Sequence, residues 1–169
     1  MLVNEKTSQV KQQILDWLKE EACSPQEQPD PNAYFNFLLR TGNIGSHIIQ
    51  SVQKIDSFIC ITRLVVPPEQ IALQKGMGLE GRREFLWEIK MNILNNDELL
   101  DFNIETDNDE IMTAFTISSK PVFYGNLTKT TLFSAVYAVN RGSLMVMFTL
   151  QKDAGINPSK KDTKLPYST

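Results

Sequence analysis

The sequence predicts an α+β domain: a mostly antiparallel five-stranded sheet with helices, in the order αβββαββα. Three observations carry this. Runs of period-two apolar alternation are joined by short turns, so neighbouring strands run antiparallel. Apolar residues at helical spacing occupy both ends and the middle of the chain. The run Phe58–Val66, FICITRLVV, is apolar on both faces, which marks a central strand. Helices segregated onto such a sheet define the α+β class.

The first helix is expected over about residues 5–22. Val10, Ile14, Trp17 and Leu18 form one stripe, and Lys11, Gln12, Asp16, Lys19 and Glu20 fall largely opposite. Pro25, Pro29 and Pro31 then fix φ and exclude helix, so CSPQEQPDP reads as an extended connector. AYFNFLLR places Phe35, Phe37 and Leu39 on one face of the first strand. TGNIG turns the chain at Thr41–Gly45, and His47–Ile55 reads as the second strand, with Ile48-Ile49 blurring its alternation. Phe58–Val66 is the third.

Val66-Pro67-Pro68-Glu69 opens a short helix with proline in its first turn. Phe85, Leu86, Ile89 and Ile93 mark a stronger helix over about 81–95, ended by Asn95-Asn96-Asp97. Leu100, Phe102 and Ile104 alternate as the fourth strand. After the turn Thr106–Asp109, Ile111, Thr113, Phe115 and Ile117 form one face of the fifth. Lys120–Tyr124 leaves the sheet around Pro121. Thr128 caps a last helix over about 129–150, with Leu127 as a staple. Residues 141–150, rich in β-branched types, also carry strand character, but LFSAVYAV sets a helical period. Residues 1–152 are expected to form one domain and 153–169 a polar, flexible tail. Trp17, Phe35, Phe37, Phe85, Ile89 and Phe115 are expected to share one core.

Composition excludes several function classes. A chain of 169 residues buries enough surface to need no metal or disulfide. Net charge −3 offers no general attraction to nucleic acid or anionic membrane. No apolar run approaches the ~20 residues of a membrane span. The polar start MLVNEKTSQVKQQ is not a secretory signal, and the two separated cysteines form no CxxC, so a reduced, cytoplasmic protein is expected.

Candidate chemistry is sparse. Gly76–Gly81, GMGLEG, fits G-x-G-x-x-G, with Asp101 downstream. A dinucleotide site needs that loop directly after a strand, whereas Pro67–Lys75 intervenes here, so the glycines are expected to serve a bend between helices. His47, the lone histidine, could act as a base only with a nucleophile and an orienting acid nearby, and reads as a strand-edge residue. Cys60 reads as a small buried hydrophobe and Cys23 as the more exposed thiol. Asp107, Asp109 and Glu110 cluster without EF-hand spacing and read as a solvated turn. No catalytic, cofactor or metal site is expected.

The passages QVKQQILDWLKEE, AYFNFLLR, VVPPEQ and REFLWEIKMNIL, in this order, give a chain that resembles the type III secretion chaperone-like fold. WLKEE followed by DPNAYFNFLLR looks like an uncharacterised, largely archaeal small-domain family. The resemblance covers about residues 5–150. It implies a non-enzymatic, often dimeric protein that binds other polypeptides, and no catalytic motif is carried over with it. The expected function is therefore a protein-binding or chaperone-like module. The alternatives are an enzyme or small-ligand-binding protein with an unrecognised pocket, or a purely structural subunit.

In the central strand, Phe58, Cys60, Thr62, Leu64 and Val66 share one face and Ile59, Ile61, Arg63 and Val65 the other. An apolar second face needs a cover, either the chain's own middle helices or a second copy or partner protein. Ile59, Ile61 and Val65 are the expected partner-binding residues. Arg82 and Arg83, opening the second long helix, are candidates for gripping a partner's acidic group.

Overall fold

The computed structural model describes residues 5–42, 44–95 and 99–153. The tail expected from residue 153 onward falls beyond them, Asp153 excepted. The described residues form two layers: a sheet and, on one of its faces, the helices.

Helix α1 (Glu5–Glu20) buries Val10, Ile14 and Leu18 together with Thr7, while Trp17 is half-buried at the edge of the stripe. It closes in a Schellman motif. Cys23 N–H donates to Leu18 O (2.8 Å) and Ala22 N–H to Lys19 O (3.0 Å), with Ala22 left-handed at φ 54°.

The sheet has seven strands, not five, because two pairs of residues join it that period-two patterning cannot reveal. β1 (Gln26–Glu27) pairs with β2 (Ala33–Thr41) from within the proline-rich connector. Prolines there hold the backbone extended, but each lacks a donor, so the ladder stays short. β3 spans Ile44–Ser51, earlier than the expected 47–55: Ile44 already pairs with Thr41, and Gly42 takes the left-handed φ of 59° where β2 ends. β4 (Ser57–Val65) lies centrally, between β3 and β6 (Met112–Ser119). β5 (Leu99–Thr106) is the far edge, and β7 (Val122–Phe123) pairs with the start of β4 where only an exit from the sheet was expected. The order is β1-β2-β3-β4-β6-β5, antiparallel throughout.

α2 (Pro68–Gly76) starts from Pro67 as N-cap, and α3 (Leu79–Leu94) starts from Gly78. GMGLEG is thus the break between two helices. α4 (Lys129–Asp153) is one helix through residues 141–150. Its start is a reciprocal cap: Thr131 N–H donates to Thr128 Oγ1 and Thr128 N–H to Thr131 Oγ1.

The expected single core is two. Phe35 and Phe37 pack with α1, Cys60 and Leu132, with Trp17 against their edge. Phe85, Ile89 and Phe115 pack with Ile117, Val146 and Leu150. A buried polar seam lies between them: Ser46 Oγ donates to Asn140 Oδ1 (2.6 Å) and shares a 2.7 Å hydrogen bond with Thr62 Oγ1. Thr62 occupies β4 between Cys60 of one cluster and Leu64 of the other, so the seam follows directly from FICITRLVV.

Candidate functional site

Both core clusters use the Phe58, Cys60 and Leu64 face of β4, and every described helix lies on that side. The middle helices do not cover the second face. Across that bare face, Leu38, His47, Ile61, Ser118 and Asp101 stand in one row, and Asn36, Ile49 and Ile59 in the next. Ile49, Ile59 and Ile61 are half-buried. Together with Pro121 and Phe123 they line a groove of about 650 Å³. Phe123 is 48% exposed at its wall. Asp56 and Asp101 line it as acids and Lys54 as a base.

The other half of the face is polar. Arg63 donates to Glu105 through Nε (2.9 Å) and Nη2 (2.7 Å). This hydrogen-bonded pair holds the Glu105 carboxyl below its usual range. Val65, 66% exposed, lies beyond that pair on the same strand. Thus Ile59 and Ile61 come together in the groove, with Ile49 added, while Val65 is set apart from them.

Arg82 and Arg83 lie elsewhere, on α3 in the helix layer. Arg83 makes a bidentate pair with Glu110 in the β5–β6 turn (2.9 and 2.8 Å), and Arg82 Nη1 donates to Met77 O (2.7 Å). Both are engaged within the chain. In the same turn Asp107 Oδ1 accepts from the N–H groups of Asp109 and Ile111, so its acid is used to shape the loop.

His47 lies inside the sheet, not at its edge, and faces the bare side. Its Nδ1 stands 2.8 Å from Asn36 Oδ1, and burial pushes its pKa down. Burial pushes the Cys60 thiol up to about 12, so it stays protonated at neutral pH. Among the described residues no group of three or more His, Cys, Asp or Glu side chains could hold a metal ion. No described helix is long and apolar enough to cross a membrane.

Sequence reasoning missed Ile49 and Phe123. The doubled Ile48-Ile49 was the available signal: one side chain serves each face. Phe123 had none, since a two-residue strand has no period.

The chain is similar to a solved structure, that of an uncharacterized protein from Methanothermobacter thermautotrophicus. The TM-score is 0.77 at 28% identity, covering 84% of this chain and 96% of that one. No curated protein matches. The likeness to an uncharacterised archaeal protein agrees with the passage around DPNAYFNFLLR, whereas the type III secretion chaperone-like likeness is not carried by any of these matches. A family described as "Uncharacterized conserved protein (DUF2299)" matches residues 10–150, most of the chain. The chain therefore belongs to the DUF2299 family of uncharacterized conserved proteins.

Proposed function

We propose that the chain is a non-catalytic polypeptide-binding module, and that its bare sheet face receives an apolar segment of another protein flanked by basic residues. The observation that carries this is the one-sided helix layer, which leaves Ile49, Ile59 and Ile61 lining an open groove with Phe123. A concave, mostly apolar groove with a few polar groups is the usual form of a binding site. The groove's acids, Asp56 and Asp101, outnumber Lys54 and favour a cationic flank. His47 contacts an amide and Cys60 is a buried thiol, so neither is equipped as a base or nucleophile.

The test is selection from a random peptide display library against the immobilised full chain, then titration of the selected peptides. Support would be apolar, basic-flanked peptides that lose about tenfold or more affinity on Ile61→Asp, the scale of a hot-spot residue, and bind Arg83→Ala unchanged. Phe123→Ala, at a half-exposed side chain, serves as a second variant. Failure to enrich any peptide, or indifference of the peptides to both groove variants, overturns the reading. A small apolar compound retained in native mass spectrometry and released by Phe123→Ala would replace it with ligand binding, for which the groove volume is adequate.

A further inference from the structure

The outer surface of the helix layer carries a second apolar face, independent of the groove. On α3, Trp87, Met91 and Leu94 recur at i, i+4, i+7, on the side away from Phe85, Ile89 and Ile93. On α4, Tyr137, Leu144 and Phe148 recur at i, i+7, i+11, again opposite the core. Trp87, Leu94, Tyr137 and Phe148 are 65%, 62%, 63% and 61% exposed. The two stripes adjoin where α3 passes the C-terminal half of α4, with Tyr137 lying farther along α4. Lys152 Nζ meets Glu88 Oε1 (3.1 Å) and Asn92 Nδ2 donates to Thr149 Oγ1 (3.3 Å), so the helices run side by side and antiparallel. Tyr137 lies tilted against the core residue Phe133 (ring centroids 6.0 Å apart), while the opposite sides of both helices supply the core.

We infer that this face is the contact surface of a homodimer, in which α3 of each subunit lies along α4 of the other. A two-fold contact sets the same patch of both subunits against each other, which brings the α3 stripe of one to the α4 stripe of the other. Met91 and Leu94 then pack against Leu144 and Phe148 of the partner subunit, twice over. The area fits a second copy. An aromatic side chain has roughly 150–250 Å² to bury. At the observed exposures, Trp87, Tyr137 and Phe148 alone offer roughly 300–450 Å². A standard interface of ~800 Å² per partner that is somewhat over half apolar needs about that much, and the three aliphatic residues raise it toward the more apolar homodimer class. The charges are of both signs: Glu84 and Lys90 flank the α3 stripe, and Arg141 stands within the α4 stripe between Tyr137 and Leu144, so two copies meet without a block of like charge.

The experiment is sedimentation equilibrium of the full chain, wild type and Leu94→Lys/Phe148→Lys. The expected result is a wild-type mass of twice 19.2 kDa and, in the doubly substituted protein, a dissociation constant raised about 30-fold or more, the effect of losing a hot-spot contact. Both positions are exposed, so the far-ultraviolet circular dichroism should not change. Ile61→Lys, on the opposite face, should leave the dimer intact, which separates this interface from the groove. A second measurement needs no charge introduced: in a Trp17→Phe background, Trp87 emission should shift to the red on dilution as the dimer dissociates. A monomeric wild type, Trp87 emission independent of concentration, or a dimer dissolved by Ile61→Lys and not by the helix substitutions would overturn the inference.

Discussion

Gln74 is where the helix layer is fastened to the end of the sheet, and replacing it should cost more than its position in a short, weakly amphipathic helix suggests. Its side chain is 2% exposed. Oε1 accepts from Met112 N–H (2.8 Å) and Nε2 donates to Met112 O (3.2 Å), so one amide imitates a strand residue at the start of β6. Gln74→Leu keeps the volume and removes both bonds. Two buried backbone groups are left unpaired, at about 1–3 kcal/mol each. Leucine loses no amide desolvation, which offsets part of this, so a net loss of ~2–4 kcal/mol is expected. Against a typical total of about 5–15 kcal/mol, that is a large shift. Gln74→Glu keeps the acceptor but loses the donor. A buried carboxyl has its folded pKa raised above the unfolded value, so this variant should be less destabilised at low pH and progressively worse as pH rises through the raised pKa. The assay is urea denaturation over a pH series, with residue-resolved hydrogen exchange at the Met112 amide. If Gln74→Leu stays within about 0.5 kcal/mol of wild type, the range of an ordinary surface substitution, and Met112 exchanges at the wild-type rate, the fastening role is refuted.

Three further outcomes follow from local geometry. Ala22→Gly should stabilise the protein by about 0.5–1 kcal/mol, because a left-handed alanine costs ~1–2 kcal/mol and the added glycine freedom in the unfolded chain returns only part of that; a lowered urea midpoint would contradict it. His47 should titrate below the ordinary value of about 6.5, since burial disfavours the imidazolium. Its depressed folded pKa contributes stability present above the unfolded pKa and lost as pH falls through the folded one, which NMR titration of this lone imidazole and the acid limb of a stability profile would reveal; a midpoint above the ordinary value would refute the assignment. Finally, a thiol reagent should modify half-buried Cys23 in the native state and leave Cys60 untouched until urea is added; labelling of both at equal rates would show that the first core cluster opens.

Much of this fold is legible in residue order because it rests on short-range periodicity. The stripe Val10, Ile14, Leu18 defines α1, and Phe35, Phe37, Leu39 defines the buried face of β2. Phe85, Ile89, Ile93 defines the core face of α3. Each is a solution to hiding apolar surface at a period of 3.6 or 2. The prolines at 67 and 68 and the threonine at 128 mark helix starts because they act on their own neighbours. FICITRLVV even carries the division of the core, through Thr62. By contrast β1 and β7 are two residues each, and no period fits in two residues. They exist only because the β2 and β4 backbones offered them hydrogen bonds.

The composition and order of residues by themselves determined an α+β chain with antiparallel strands, a two-faced central strand and a break at Gly76–Gly78. Tertiary structure decided on which side of the sheet the helices sit, and thereby which isoleucines stay bare. It set β5 outside β6, paired Arg83 with Glu110 27 positions away, and turned Trp87 and Phe148 outward. The physical reason is that burial pattern says that a face must be covered, not by what. An apolar stripe on α3 satisfies the same periodicity whether it meets β6 or a second chain. Only the competition among all apolar faces for a limited common interior settles which are enclosed and which remain at the surface.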